Sequence, residues 1–198
     1  MSDAIILQKL RIHTADLHRQ VEASPVMSGL LQADLTAEQY LAALQVLAAL
    51  IARYEGALLR VFDQQHQYQY IPRLSIVYAD IRAIGGAQPA IETEQDTTAL
   101  YSDWELAGAA YVIEGSTMGG RILARRIENV LGPSLKLTST CGISYFHFYQ
   151  RGSWDKFKNW LEQAELSPVQ HHEVVKGAQS AFHYLAEELA NRQQSGVH

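Results

Sequence analysis

The chain has 198 residues, of which 47% are hydrophobic and 19% charged, so it can bury a substantial core and does not read as a disordered tail. A net charge of −5 without any dense Lys/Arg stripe argues against nucleic acid or an anionic membrane as the main partner, since both require concentrated positive charge. Cys141 is the sole cysteine, which excludes an internal disulfide and a thiolate zinc site. Met1-Ser2-Asp3-Ala4 opens no basic-then-apolar signal pattern, and Leu41 to Ala52, interrupted by Gln45, is too short to span a bilayer. A cytoplasmic protein is expected.

Helical periodicity dominates, and one all-α domain over residues 1–198 is expected. The first helix is predicted from about Ala4 to Ala23, with Ile6, Leu10, Leu17 and Val21 on one apolar stripe. Pro25 and Gly29 punctuate its end. Thr36-Ala37-Glu38-Gln39 has the form of a capping box and opens a second helix that runs to about Phe62. Pro72 suits the first turn of a third helix, which stops near Gly85-Gly86. Ala87 to Thr98 reads as loop. A long helix is predicted from about Trp104 to Leu131, capped by Ser102 or Asp103 and ended by Gly132-Pro133. Further helices are predicted over Gly142 to Gln150, Trp154 to Glu165, and Pro168 to Arg192 with Ser167 as cap.

Beside the apolar stripe of the first helix, Arg11, Thr14, His18 and Glu22 form a second one. Arg11 and His18 project the same way and stand roughly 10 Å apart along the axis. That separation suits a flat ligand held at its centre by imidazole and at its edge by guanidinium. A packed or solvated histidine is the plainer reading of the same spacing, and the stripe alone does not separate the two.

The long helix holds Glu114-Gly115-Ser116-Thr117-Met118-Gly119-Gly120 in strongly helical surroundings. Each glycine costs about 1 kcal/mol relative to alanine inside a helix, roughly 3 kcal/mol together. Missing side chains let another body come close to the backbone. That body is either a planar ligand against Gly115 and Gly119 or a neighbouring helix, and composition leaves both open.

Taken together, these residues resemble a known family. Leu17-His18-Arg19-Gln20-Val21-Glu22 resembles the proximal-helix motif of heme oxygenases, and the glycine segment resembles their distal-helix motif. Gly142-Ile143-Ser144-Tyr145-Phe146-His147-Phe148 is similar to the aromatic segment that follows, and the stretch from Lys156-Phe157-Lys158 to Ala181-Phe182 is similar to the family's C-terminal part. The motifs occur in order, and the resemblance runs from about Leu10 to Leu189.

The resemblance implies an all-α heme oxygenase-like fold, with heme b as substrate and cofactor between a proximal helix and a kinked distal one. His18 would ligate the iron. Arg11 and Lys158 would meet heme propionates, with Thr14 beside them on the proximal side. Gly115 and Gly119 would let the distal helix pass close over the macrocycle, Gly120 would support the bend, and Tyr145 and Phe146 would pack near the distal pocket. Gly115, Ser116 and Gly119 would form the catalytic wall. Animal members carry Asp where this chain has Ser116, and several bacterial members resemble it, so a bacterial, biliverdin-producing type is implied. The implied reaction is dioxygen-dependent cleavage of heme to biliverdin, carbon monoxide and ferrous iron. Electrons must come from outside, because Gly115 to Gly120 is not G-x-G-x-x-G and follows helix rather than strand. A ferredoxin or NAD(P)H-dependent reductase is the implied donor, and a bilin-accepting photoreceptor is a partner the reaction allows. A heme carrier or sensor on the same fold, without turnover, is the alternative.

Overall fold

The structure is a computed structural model, and it describes residues 5–63, 68–89 and 101–195. Seven α-helices order the described residues: α1 (Ile5–Ala23), α2 (Pro25–Gly29), α3 (Ala37–Val61), α4 (Leu74–Ala83), α5 (Asp103–Leu135), α6 (Ser153–Gln163) and α7 (Pro168–Ser195). A short 3-10 turn, Phe148–Arg151, precedes α6. Among the described residues there is no strand; Thr138 to Gly142 makes isolated bridges only. The predicted start at Ala4 and most of the predicted loop, residues 90–98, lie outside the described residues.

Several helix boundaries follow from local chemistry that the sequence displays. Ile6, Leu10 and Val21 of α1 are buried and Leu17 packs partly buried against the core. Thr36 and Gln39 close the expected capping box, with the Gln39 N–H donating to Thr36 Oγ1 (3.2 Å) and the Thr36 N–H to Gln39 Oε1 (2.9 Å). Ser102, rather than Asp103, caps α5, in the same reciprocal arrangement with Glu105. Ser167 caps α7 by accepting from the Gln170 N–H. Gly85 takes φ +81° after α4, and the Gly86 N–H reaches back to the Ile81 carbonyl at 2.9 Å.

Three boundaries differ from expectation, each because a distant side chain or a tolerated residue intervenes. α4 starts at Leu74 instead of Pro72, because the Glu55 carboxylate of α3 accepts the Arg73 N–H (2.7 Å) and the Leu74 N–H (3.1 Å) and so caps the helix from outside. α5 passes through Gly132 and Pro133 and ends at Leu135, before Lys136 in the left-handed region at φ 52°. Pro133 cannot donate to the Asn129 carbonyl, so the helix gives up one main-chain hydrogen bond and stops two residues later. The predicted helix over Gly142 to Gln150 is instead a tight loop leading into the 3-10 turn. Side chains from other helices take its main-chain groups: the Tyr40 hydroxyl donates to the Gly142 carbonyl (2.6 Å), and Asp80 Oδ2 accepts the Tyr145 N–H (2.8 Å).

α5 and α7 pack against each other most extensively, α1 lies on α7, and α3 supports α4, α5 and α7. By length and composition α3 could cross a membrane. Here its residues from Tyr40 to Leu58 form the middle of the core. The result is a helical scaffold in which α1 and α5 leave a gap between them.

Candidate functional site

That gap is a cavity of about 550 Å³. His18, Val21 and Glu22 of α1 line it, with Tyr111, Gly115, Ser116, Met118, Gly119 and Ile122 of α5. Leu31, Leu47, Tyr145, Phe146, Trp154, Phe182 and Leu185 complete a mainly apolar wall. Such a lining with a few placed polar groups is the usual form of a cofactor or small-molecule site.

His18 is the nitrogen donor on that wall. Its Nδ1 lies 3.3 Å from Glu22 Oε2, and its ring meets Phe182 edge-on with centroids 5.7 Å apart. With Nδ1 turned to a carboxylate one helical turn away, Nε2 is the nitrogen left to bind a metal, and the carboxylate fixes the ring's tautomer. Among the described residues no group of three or more His, Cys, Asp or Glu gathers to hold a metal. The donor set therefore fits a metal that brings its remaining ligands with it, as iron does in a porphyrin, and the apolar walls fit the macrocycle.

The three glycines of α5 divide their work. A Cβ on Gly119 would meet nothing within 4 Å, and one on Gly115 would meet only the Trp154 ring at 3.7 Å. Both positions open onto the cavity. Gly120 points elsewhere: a Cβ there would stand 2.6 Å from the Phe146 carbonyl oxygen. Close approach to a ligand and close approach to a neighbouring segment both occur, each at its own glycine. The helical hydrogen-bond pattern runs through all three.

Ser116 lines the cavity between the two open glycines and touches Tyr145, Oγ to Oη, at 2.8 Å. Ser116 Oγ also donates to the Ile113 carbonyl at 2.7 Å. Behind them lies a buried ionic cluster. Arg73 and Glu114 are both 0% exposed, with Arg73 Nη2 2.5 Å from Glu114 Oε1. Tyr68 donates to Glu114 Oε1 and Ser153 to Oε2, while Tyr70 donates to Glu55. The Arg73 guanidinium sits over the Phe148 and Tyr70 rings, at 4.3 and 4.8 Å from their centroids. Burial pulls the Arg73 pKa down, but Tyr70 and Glu114 outweigh it and hold it above the usual value. Burial pushes the Tyr145 phenol up, against the Arg73 charge and the Ser116 hydrogen bond.

Not every expected residue reaches the cavity. His18, Gly115, Ser116, Gly119, Tyr145 and Phe146 line it together, whereas Arg11, Thr14, Gly120 and Lys158 do not. Thr14 is buried and its hydroxyl donates to the Leu10 carbonyl at 2.7 Å. Arg11 is exposed on α1. Lys158 pairs with Asp155 at 3.0 Å and lies over the ring of Trp154, a lining residue, at 5.5 Å. Tyr111 is a lining residue that the sequence reading passed over. Burial pushes its phenol up, opposed by the Arg11 charge and a hydrogen bond with Thr14. Its position one turn before Gly115 on the same face was the available signal. Trp154 and Arg73 carried no such signal, because loops and distant helices bring them in.

Known proteins resemble this chain in sequence and in fold. A family model described as heme oxygenase matches residues 4–190. A heme oxygenase of Xanthomonas campestris pv. campestris (strain 8004) is 29% identical over 117 residues, 58% of this chain and 66% of that one, so the match spans just under two thirds of the relative's length. The heme oxygenase of Neisseria meningitidis, solved with NO and CO bound, superposes with a TM-score of 0.73 at 22% identity, over 94% of this chain and 91% of that one. The heme oxygenase of Leptospira interrogans does so with a TM-score of 0.70 at 16% identity, over 96% and 100%. These two likenesses establish the all-α fold.

Proposed function

This chain belongs to the heme oxygenase family, and from that premise we propose that it cleaves heme to biliverdin, carbon monoxide and ferrous iron, using dioxygen and electrons supplied from outside. One observation carries the reading: a single imidazole oriented by Glu22 and a glycine-bared helix wall line the same apolar cavity. The bound heme supplies the redox chemistry, and a neutral imidazole lacks the strong electron push of a thiolate ligand.

The chain's own groups position and protect. His18 would hold the iron through Nε2, with Glu22 fixing its ring. Gly115 and Gly119 offer no side chain, so the macrocycle can approach the α5 backbone and little room remains for bulky competitors. Leu47, Phe146, Phe182 and Leu185 exclude water from the buried face. Ser116 supplies a hydroxyl from α5 that would hold a proton near the reacting oxygen. Arg11 and Lys158 stand outside the cavity wall, where extended side chains can meet propionates at the rim. A ferredoxin or NAD(P)H-dependent reductase is the proposed donor, and a bilin-accepting photoreceptor is a downstream partner consistent with the product. The exposed single thiol of Cys141 suits a reducing cytoplasm.

Incubating the purified protein with heme, ascorbate and dioxygen tests the reading. Loss of the Soret band with appearance of biliverdin supports it. An intact Soret band after reduction in air rejects it in favour of a carrier.

A further inference from the structure

The hydroxyl pair at Ser116 and Tyr145 has a donor order that the geometry decides. A carbonyl oxygen can only accept, so the 2.7 Å contact between Ser116 and Ile113 commits the single Ser116 hydrogen to the Ile113 carbonyl. At the 2.8 Å contact with Tyr145 the phenol must then be the donor. The Ile113 carbonyl has other partners: it accepts the Thr117 N–H within α5, and Arg73 Nη1 donates to it at 3.4 Å. If the Ser116 hydrogen turns away, that buried carbonyl keeps a bond, and the usual penalty for an orphaned acceptor is avoided. Tyr145 meanwhile goes on donating to Ser116, which polarises the serine O–H and strengthens it as a donor. The hydroxyl therefore has two satisfied settings: one towards Ile113, and one towards the cavity that Ser116 lines.

We infer that Ser116 is a rotating hydrogen-bond donor to a small diatomic ligand held on the α5 side of the heme, with Tyr145 as the positioning residue that lets it turn. The inference rests on heme occupying the cavity with His18 on its iron. It assigns the donor to a side-chain hydroxyl of α5.

Carbon monoxide on the ferrous heme complex is the probe, because hydrogen donation to its oxygen lowers the C–O stretching frequency. Ser116→Ala should shift that frequency upward and abolish its sensitivity to D2O. Tyr145→Phe should shift it upward by a smaller amount, and the double variant should shift no further than Ser116→Ala alone, as expected for residues acting in series. Ser116→Thr, which keeps the hydroxyl, should retain the native frequency. Each substitution changes little volume, and an unchanged melting transition checks that the fold survives. An unmoved frequency in Ser116→Ala that binds heme normally would overturn the inference, as would additive shifts in the double variant. If the unmodified protein shows no Soret band on heme titration, the proposed function itself fails along with it.

Discussion

Gly108 of α5 and Gly177 of α7 bring the two helices together backbone against backbone. A Cβ on Gly108 would stand 2.0 Å from the Val174 carbonyl oxygen, and one on Gly177 would stand 1.9 Å from that of Glu105. Neither obstacle is a side chain that could swing aside. Gly108→Ala or Gly177→Ala is therefore expected to cost about 3 kcal/mol or more through overpacking, despite the better helix propensity of alanine. Urea unfolding would measure it, and a stability gain in either variant would contradict the crossing described.

Gly119 is the opposite case, since a Cβ there projects into open cavity. Gly119→Ala should raise stability by up to about 1 kcal/mol through helix propensity. Heme uptake should weaken and the biliverdin isomer ratio should change, because the methyl occupies ligand space. Parallel unfolding and heme titration would show both effects, and unaltered binding with unaltered products would contradict a ligand at this wall.

These two glycines show what was legible in the sequence and what was not. The α5 segment around Gly115 and Gly119 stood out because glycine violates local helix preference, whereas the spacing of His18 fitted a packed or solvated histidine as well, and only the resemblance to the family's motifs singled it out. Caps at Thr36 and Ser167 were readable, being contained within four residues each, and Ser102 was one of two candidates for its helix. Gly108 drew no attention, because its partner Gly177 is far along the chain. A helix was expected from Gly142, yet Tyr40 and Asp80 take the carbonyl of Gly142 and the N–H of Tyr145 from other helices. Arg73 likewise gains its meaning only from Glu114, a residue on a different helix.

Removing that arginine should be severe. Arg73→Met leaves the Glu114 carboxylate buried with hydroxyl partners only, at an expected cost of about 3–5 kcal/mol. Adding Glu114→Gln should recover part of the loss, since the unpaired charge goes with it. Chemical denaturation of the single and double variants would decide. Equal losses in both would mean that the ion pair is not the origin.

His18→Ala should abolish the native Soret spectrum of the heme complex. Added imidazole should restore it, because the cavity would then accept the missing ring. A native spectrum in His18→Ala without imidazole would place the iron ligand elsewhere.

The α5–α7 contact should also respond to pH. Burial pushes the Glu105 carboxyl up, but the hydrogen bond from Lys176 at 2.6 Å and the Ser102 N–H outweigh it and hold the pKa below its ordinary value. A lowered folded-state pKa means that the carboxylate stabilises the fold above the unfolded value near 4.5. That contribution disappears as pH falls through the lower folded value. Glu105→Gln should flatten this part of the stability curve, and unfolding midpoints measured from neutral to acidic pH would reveal it.

The rod formed by α5 is clamped on both sides of its bare stretch. Upstream, Gly108 is wedged against α7 and Glu114 is tied to Arg73; downstream, Gly120 rests on the Phe146 main chain and Glu128 holds His147 at 2.8 Å. A beam fixed at two supports yields between them, so bending is expected in residues 115–119, which lie along the cavity. Accommodation of substrate and release of product should then appear as local flexing of little more than one helical turn, while the rest of the scaffold keeps still.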